Sequence, residues 1–329
     1  MRAIQIDEYG DESVVRFRDV AIPTPADDEV LVRLSVAGIN FMDIHTRLGK
    51  YRNSRTYRVA TPTTLGMEGG GVIEAVGAAV TGLKVGQRVV YCLSWGSYAD
   101  YAAVPARRVV PVPDDLSLSQ ATAALFHGLT AHYLAHDVGQ LRAGTSCLVH
   151  AASGGIGQIL VQMAVAAGAE VYATSSTPAK RQIALDRGAK AAFGYEGFAD
   201  RLGELVGGVD VVFDPVGQPT FRESLRALRK RGLMVAFGSV GGHVNDLDPI
   251  ELGEAGSLFL TRPRLADHLE SADILRRRAH DVFSLVLSGE LKIGMAGEFA
   301  FDDVLEAHRR LESRAMVGKP LLRVREAED

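Results

Sequence analysis

The sequence predicts an α/β protein in which a doubly wound parallel sheet interrupts an all-β domain. Three observations carry this prediction: a glycine-rich segment between an apolar run and a helical run, alternating strands and helices after it, and short strands separated by Gly, Pro and Asp before it. A chain of 329 residues is long enough for two domains. We expect the all-β domain over 1–122 plus 263–329, and the parallel-sheet domain over 123–262.

The first part of the chain is typical of an all-β domain. It enters a strand at the N-terminus, and short apolar strands follow at 30–34, 71–76, 87–91 and 108–112. Turn residues separate these strands, which predicts a small barrel. A helix over 116–134 then leads into the second domain.

The segment VHAASGGIGQ, at 149–158, is the most informative stretch of the chain. Ala152, Gly154 and Gly157 have the spacing of the dinucleotide fingerprint, with Ala152 in place of the usual first glycine. A Cβ at Gly154 would block the approach of a pyrophosphate, and one at Gly157 would push the helix off its strand. A glycine-rich turn that binds nothing is the alternative. Because a strand precedes the segment and a helix follows it, we predict that the loop contacts a dinucleotide through Ala152, Ser153, Gly154, Gly155, Ile156 and Gly157.

Strands and helices alternate after this loop. Strands are predicted at 170–174, 209–213 and 232–237, and helices at 178–187, 198–206 and 219–231. Such alternation predicts a parallel sheet with helices on both faces. Beyond residue 262, helices are expected at 274–287 and 302–312, with strands near 299 and at 319–324. If the last strand rejoins the first domain's sheet, the parallel-sheet domain is an insertion.

The end of the second strand of this domain predicts which dinucleotide binds. A site for NAD usually has an acid about 20 residues beyond the glycines, where it holds the ribose 2′-hydroxyl. This chain instead has TSST at 174–177, followed by Lys180 and Arg181. Hydroxyls and cations suit a 2′-phosphate, although both cations could simply form a solvated helix face. We predict NADPH as the cofactor, bound here by Thr174, Ser175, Ser176 and Lys180.

Composition and charge exclude several classes of function. The net charge of −4 gives no field that would attract nucleic acid or an anionic membrane. The two cysteines, Cys92 and Cys147, cannot form a disulfide framework or a four-thiolate zinc site. We see no signal peptide and no apolar stretch long enough for a bilayer, so we expect a cytoplasmic protein.

Five further segments match one known family in content and order. They are GINFMD and RLGKY within 38–51, GMEGGGVI at 66–73, RGLMVAFG at 231–238, GSLFLTRP at 256–263 and LESR at 311–314. Together with the glycine loop they resemble the medium-chain dehydrogenase/reductase superfamily, and within it the zinc-free NADPH:quinone oxidoreductases that include zeta-crystallin. The resemblance implies a GroES-like β-barrel catalytic domain with an inserted Rossmann domain, and an NADPH-dependent quinone reductase.

The residues also bear on metal binding. Zinc-dependent members of this superfamily have a cysteine where Asn40 stands and a histidine where Met67 stands. An amide and a thioether are poor zinc ligands, and Glu68 cannot hold the metal alone. We therefore predict no metal. Without a Lewis acid, the hydride acceptor must already be electron-poor, as quinones and α,β-unsaturated carbonyls are.

The resemblance implies that Asn40, Asp43, Arg47 and Tyr51 line the substrate pocket. Asn40 would donate through its amide, Tyr51 would stack on a ring or donate its O–H, and Asp43 is the orienting candidate. Alternatively, Asn40 caps a helix and Arg47 pairs with Asp43. His45 stands where bacterial relatives tend to have tyrosine, which changes the pocket's shape and adds a titratable group.

The resemblance implies further contacts and a homodimer. Thr130 would lie near the nicotinamide, Tyr195 against the adenosine and Lys319 near the cofactor phosphates. Three more cofactor contacts are expected where a sheet strand ends, at Phe237, Gly238 and Ser239. The strand-like segment 257–261 is a pairing edge in this family, and an exposed apolar edge favours association.

Three functions therefore remain open from the sequence. The leading prediction is quinone reduction by NADPH without metal. The second is saturation of the C=C bond of an enal or enone, which also needs a proton donor such as His45 or Tyr51. The third is a cofactor-binding protein with a structural or RNA-binding role, which the acidic balance of the chain disfavours.

Overall fold

A computed structural model of the protein describes residues 1–325 of the 329. The chain divides into two compact units, the first made of Met1–Phe126 and Leu269–Asp329 and the second of His127–His268. The second unit therefore begins after residue 126 and ends at residue 268, whereas the sequence predicted a start after residue 122 and an end at residue 262.

The first 126 residues form mainly strands. In chain order the elements are β1 (Arg2–Ile6), β2 (Val15–Asp19), β3 (Glu29–Gly38), α1 (Phe41–Arg47), β4 (Thr63–Thr64), β5 (Glu68–Val76), β6 (Arg88–Cys92), β7 (Tyr101–Pro105) and β8 (Val109–Pro111). Helix α2 (Leu118–Tyr133) follows and contains the boundary between the two units. It ends in a π-helical turn, Leu134–Val138.

The second unit alternates strands and helices, as predicted. Its elements are β9 (Ser146–Val149), α3 (Gly155–Ala166), β10 (Glu170–Thr174), α4 (Pro178–Asp186), β11 (Ala191–Phe193), α5 (Phe198–Val206), β12 (Val209–Asp214), α6 (Phe221–Ala227), β13 (Leu228–Ala236), α7 (Pro249–Glu254) and β14 (Phe259–Thr261). All pairs are parallel, in the order β11-β10-β9-β12-β13-β14. This is the doubly wound order, which reverses between β9 and β12.

One predicted helix of the second unit is too long. The expected helix over 219–231 ends at Ala227, and β13 begins at Leu228. Leu228 pairs with Val209 of β12 before a register shift, and Arg231 has a φ of 62°. This register shift lets the strand begin at Leu228, four residues before the apolar segment 232–237 from which we predicted it.

The C-terminal segment returns to the first unit. It contains α8 (Ala272–Leu287), β15 (Met295–Ala300), α9 (Val304–Glu312) and β16 (Lys319–Arg323). β16 pairs antiparallel with β3 and parallel with β15. The last strand thus rejoins the first sheet, which confirms the inserted arrangement.

Two sheets enclose the core of the first unit. One has the order β2-β1-β4, and the other the order β15-β16-β3-β5-β6-β8, with β7 also paired to β3. Their shared core includes Ile4, Leu34, Tyr91 and Leu322, and α9 adds Val304. No helix within residues 1–325 combines the length and the apolar composition that a bilayer crossing requires.

Candidate functional site

A buried polar cluster lies where β3, β5 and β16 of the first unit meet. The Nζ atom of Lys319 is 2.5 Å from Oε2 of Glu68 and 2.7 Å from Oδ1 of Asn40. Lys319 and Glu68 are fully buried, and Asn40 is 3% exposed. The first residues of β5 and β16 and the N-cap residue of α1, which follows β3, therefore bring together a carboxylate, a cation and an amide.

The Lys319 ammonium fixes the orientation of the Asn40 amide. An ammonium group only donates, so the amide oxygen must face Lys319. The Nδ2 atom of Asn40 then donates to Oε2 of Glu68 at 3.0 Å and to the carbonyl of Gly38 at 3.3 Å. Both amide protons are used within the protein. A hydrogen bond from Asn40 to the substrate, as predicted, would require one of these two bonds to be replaced.

Glu68 is held from both sides. Its Oε1 atom accepts a hydrogen bond from the backbone N–H of Phe126 at 2.9 Å. The Phe126 ring lies 5.8 Å from the Lys319 Nζ atom. A Cβ added at Gly38 would come within 2.7 Å of the Glu68 carboxyl carbon, so glycine gives the carboxylate its space. The carboxylate is therefore fully satisfied by protein groups.

This donor set does not fit a catalytic zinc ion. Zinc needs three nitrogen, sulfur or oxygen ligands with an open fourth position. Here the Lys319 ammonium already contacts the Glu68 carboxylate and the Asn40 amide oxygen, and it would repel a second cation. Within residues 1–325, no group of three or more His, Cys, Asp or Glu residues could hold a metal ion.

Asp43 organises the first turn of α1. Its Oδ2 atom accepts from the Asn40 backbone N–H at 2.8 Å and from the Tyr98 hydroxyl at 3.0 Å. Its Oδ1 atom accepts from the Met67 N–H at 3.1 Å. Burial raises the pKa of Asp43 to about 7, although these donors oppose the rise. Asp43 is thus an orienting group inside the protein, and it does not pair with Arg47.

Arg47 also points into the protein. It is 2% exposed and lies 3.4 Å from Nδ1 of His308 and 3.2 Å from a carboxylate oxygen of Glu312. Because arginine only donates, His308 accepts at Nδ1 and presents its Nε2 proton to the Tyr98 oxygen, 3.4 Å away. Burial, followed by the Arg47 charge, lowers the pKa of His308 to about 3. The side chain of Arg47 thus contacts protein groups here, and its predicted place in the substrate pocket stays a prediction.

Tyr51 keeps a partly exposed side chain, unlike the other three predicted substrate residues. Its hydroxyl is 3.3 Å from Nδ1 of His45, and the two rings meet edge to face at 5.8 Å. The ring of Tyr57 lies 5.7 Å from that of Tyr51. An aromatic surface that contains a hydroxyl and an imidazole can contact a flat acceptor and move a proton.

The glycine loop of the second unit fits a dinucleotide phosphate. It begins after β9, and α3 starts at Gly155 with Gly154 as its N-cap. A Cβ at Gly157 would lie 2.8 Å from the Ala152 Cα atom, so the helix could not approach the loop as it does. Because the first backbone N–H groups of a helix have no partner within it, they are suited to bind a phosphate.

The end of β10 lies beside this loop. The Ser175 hydroxyl is 3.4 Å from that of Ser153, which brings two predicted cofactor-binding segments together. Ser176 is exposed and Lys180 is half-buried. Thr174 is fully buried and its hydroxyl lies 2.6 Å from Nδ1 of His150. The Thr174 hydroxyl is thus turned toward His150, and a contact between Thr174 and the 2′-phosphate stays a prediction.

The remaining predicted cofactor residues lie in different places. Phe237, Gly238 and Ser239 follow β13, and a Cβ at Gly238 would come within 2.6 Å of the Pro215 Cα atom. Thr130 is 5% exposed within α2. Lys319 belongs to the first unit, where its buried ammonium is already engaged by Glu68 and Asn40. The expected approach of Lys319 to the cofactor phosphates stays a prediction.

Sequence reasoning missed several polar residues of these two regions. The roles of Tyr98 and His308 depend on contacts across 55 and 210 positions, for which no local motif exists. Asp214 bonds groups that lie 2 to 10 positions further along the chain, so its place at the end of a predicted strand was a usable signal. His150 stands inside the segment 149–158, and a polar residue at the end of a buried strand is a signal that could have identified it.

Two family models match the chain. Residues 26–114 match the model described as alcohol dehydrogenase GroES-like domain. Residues 155–264 match the model described as zinc-binding dehydrogenase. The two matches fall within the first and second units respectively.

Relatives match over nearly the whole chain. A quinone oxidoreductase of Pseudomonas aeruginosa is 36% identical over 326 residues, which is 98% of this chain and 99% of that protein. A 2-haloacrylate reductase of Burkholderia sp is 33% identical over 330 residues, which is 98% of each. The solved structure of Escherichia coli quinone oxidoreductase complexed with NADPH matches with a TM-score of 0.93 at 35% identity, over 98% of this chain and 99% of that one.

Proposed function

The chain belongs to the quinone oxidoreductase family of the medium-chain dehydrogenase/reductase superfamily, and from this premise we propose that it reduces quinones with NADPH and without a metal ion. One observation carries the metal-free chemistry. The Lys319 ammonium donates to the oxygen atoms of Asn40 and Glu68, so these oxygens already have a cation of the protein as their partner and are not available as metal ligands. An acceptor must then be electron-poor before it binds.

The cofactor proposal rests on the second unit. Gly154 and Gly157 allow a phosphate close to the N-terminus of α3, and Ser175, Ser176 and Lys180 supply hydroxyls and a cation at the end of β10. That end has no carboxylate to repel a 2′-phosphate. When NADPH is bound, its nicotinamide supplies the hydride. The solved Escherichia coli relative is a complex with NADPH.

The acceptor proposal rests on Tyr51 and its neighbours. The half-exposed Tyr51 ring offers an aromatic face for a quinone, and its O–H offers a donor for the oxygen that gains charge. Asn40 is a less suitable donor, because its two amide protons are engaged by buried groups of the protein. In this reaction the protein would contribute the positioning of the acceptor and a hydrogen bond to its oxygen.

A second candidate function is reduction of an activated C=C bond. The contact of 3.3 Å between His45 and Tyr51 supports it, because the pair could deliver a proton to the α-carbon while the hydride goes to the β-carbon. A relative at 33% identity is named 2-haloacrylate reductase, whose name denotes an unsaturated acid.

Product analysis separates the two functions. Chelator-treated protein is incubated with NADPH and either phenanthrenequinone or a simple enone, and the products are identified by mass spectrometry. We expect hydroquinone from the first acceptor, with little saturated ketone from the second. The matched variant Tyr51→Phe retains the ring and removes the hydroxyl, and we expect it to lower kcat/KM for the quinone by about tenfold. Absence of NADPH oxidation with every quinone would refute the leading proposal.

We also propose that the protein is a homodimer. Strand β14 forms an edge of the parallel sheet, and the side chain of Phe259 on this strand is 62% exposed. An apolar strand edge favours pairing with a second copy. We expect sedimentation to give a dimer for the wild type and a monomer for Phe259→Lys. A monomeric wild type would contradict the proposal.

We propose a cytoplasmic location and no nucleic-acid partner. Cys92 and Cys147 are buried free thiols, as in a reducing compartment, and burial raises the pKa of Cys147 to about 12. The net charge of −4 disfavours binding to a polyanion. Cell fractionation tests the location. A gel shift with AU-rich RNA, with and without NADPH, tests the partner, and we expect none.

A further inference from the structure

A chain of buried polar side chains runs beneath the carboxyl ends of β10, β9 and β12 in the second unit. His150, which follows β9, is fully buried at its centre. Its Nδ1 atom is 2.6 Å from the Thr174 hydroxyl, and its Nε2 atom is 2.8 Å from the Ser224 hydroxyl. The imidazole thereby joins the end of β10 to helix α6.

The donor and the acceptor of each hydrogen bond in this series of side chains can be assigned. The Ser224 hydroxyl donates its single proton to the Thr220 carbonyl at 2.8 Å, with Asp214 Oδ2 at 3.3 Å. Ser224 therefore accepts from the Nε2 proton of His150. Burial lowers the pKa of His150 to about 4, so the ring is neutral near pH 7 and its Nδ1 atom accepts from Thr174. The tautomer of His150 that carries its proton on Nε2 therefore satisfies both ring nitrogens, one with Thr174 and the other with Ser224.

At one end, the chain fixes the loop that follows β12. Asp214 accepts from the N–H groups of Val216 at 2.6 Å and Gly217 at 3.0 Å, and from the Thr220 hydroxyl at 2.7 Å. This loop in turn bonds the segment after β13, because the Pro215 carbonyl accepts from the Val240 N–H at 3.1 Å. That segment includes the predicted cofactor residues 237–239.

At the other end, the chain reaches the predicted site of the 2′-phosphate. Thr174 directly precedes Ser175 and Ser176, and its hydroxyl is turned inward to His150. The His150 ring also lies 6.2 Å from the ring of Tyr195, at an interplanar angle of 28°, and 4.8 Å from that of Phe198. His150 thus lies beside Tyr195, which is expected against the adenosine, and packs on Phe198 in the core of the second unit.

We propose that His150 is a positioning residue that sets the preference for NADPH over NADH. By holding Thr174 inward and supporting Tyr195, it fixes the strand end that carries Ser175 and Ser176, without touching the cofactor itself. Because these serines are expected to bind the 2′-phosphate, loss of their position weakens NADPH far more than NADH. This inference rests on the proposed use of NADPH.

Isosteric variants test the proposal. Thr174→Val keeps the shape and removes the hydroxyl, His150→Asn removes the bond to Ser224, and Thr174→Ser retains the hydroxyl. We expect the first two to raise KM for NADPH by about tenfold, with kcat and the KM for NADH changed less than about twofold, and we expect Thr174→Ser to restore most of the affinity. The double variant should be no worse than either single one.

A matched control and a binding measurement complete the test. Ser146→Ala alters a buried serine at the opposite end of β9, where it bonds Asp210, and should leave the NADPH preference unchanged. Calorimetric titration of NADPH into each folded variant gives the affinity apart from turnover. Equal losses for both cofactors, or an unchanged preference in both His150→Asn and Thr174→Val, would overturn the inference. If wild-type protein binds neither cofactor, it is the proposed function that fails.

Discussion

Lys319 and Glu68 form an ion pair that is completely buried, with Nζ and Oε2 only 2.5 Å apart. The same chain has a surface pair of the same residue types at the same distance, Lys190 and Glu170, whose side chains are 55% and 47% exposed. The two pairs differ in solvent access and in their neighbours, since Asn40 also accepts from Lys319. This difference in burial decides how much each pair matters for stability.

Removing the Lys319 ammonium should strongly destabilise the first unit. Lys319→Met leaves the buried Glu68 carboxylate without its cation and the Asn40 oxygen without a donor. We expect the free energy of unfolding, measured by chemical denaturation, to fall by about 3–5 kcal/mol. Adding Glu68→Gln to Lys319→Met should recover part of this loss, because the uncompensated charge is removed.

The surface pair provides the control for this prediction. Lys190→Met removes a pair of the same length that water already screens, so its effect should be a small fraction of the Lys319→Met effect. Equal effects of the two substitutions would contradict the importance that we give to burial.

Gly157→Ala should separate α3 from the loop before it. The new Cβ would lie 2.8 Å from the Ala152 Cα atom, closer than such atoms approach, so the helix must shift. We expect NADPH affinity to fall at least tenfold and thermal stability to fall as well. The control is Gly203→Ala in α5, where the added Cβ meets no atom within 4 Å. That change should stabilise the protein by about 0.5–1 kcal/mol, and a loss there similar to that of Gly157→Ala would count against the steric account.

Acid should destabilise the protein partly through His308. The unfolded chain takes up the proton near the ordinary pKa of 6.5, whereas burial next to Arg47 lowers the folded pKa to about 3. Between these values the unfolded state holds more protons, so the free energy of unfolding falls as the pH drops through this window. His308→Gln should reduce that slope. His150 acts in the same direction, because burial lowers its pKa to about 4, whereas Asp43 opposes it, because burial raises its pKa to about 7.

The measurement is denaturant unfolding between pH 7 and pH 4. His280→Gln is the control, since the His280 side chain is 80% exposed, and it should keep the wild-type slope. Identical slopes in the wild type and in His308→Gln would show that the buried ring is not responsible.

Lys180 should contribute to the choice of cofactor. Lys180→Ala removes a half-buried cation at the start of α4, so KM for NADPH should rise by about tenfold while KM for NADH stays nearly constant. Salt should reduce NADPH affinity less in the variant than in the wild type. Lys190→Ala removes one member of the exposed pair with Glu170 and should leave both constants unchanged. If Lys180→Ala weakens NADH as much as NADPH, its charge does not read the 2′-phosphate.

The regular elements of this fold were predictable because their signals are local. β10 and α5 have the expected bounds, and α4 begins at Pro178 after the capping hydroxyl of Thr177. The alternation that reveals a half-buried strand is absent from a strand covered on both faces. For that reason the sequence could not show that Thr174 points inward.

The polar clusters were not predictable because distant segments create them. Lys319 and Glu68 are separated by 251 positions, and Arg47 and Glu312 by 265. The family resemblance identified Asn40 and Arg47 as notable positions, but their hydrogen bonds depend on partners that only the folded chain provides. A titratable residue in an apolar stretch of sequence can be noticed locally. The residue that it pairs with cannot, because that residue lies far away in the sequence.

The most direct test of the account is the rate at which protein depleted of metal by a chelator oxidises NADPH in the presence of phenanthrenequinone, with metal content quantified in the same sample. We predict turnover that is unchanged by chelation and that prefers NADPH to NADH. Activity that disappears on chelation and returns with zinc, or a complete absence of NADPH oxidation, would contradict the account.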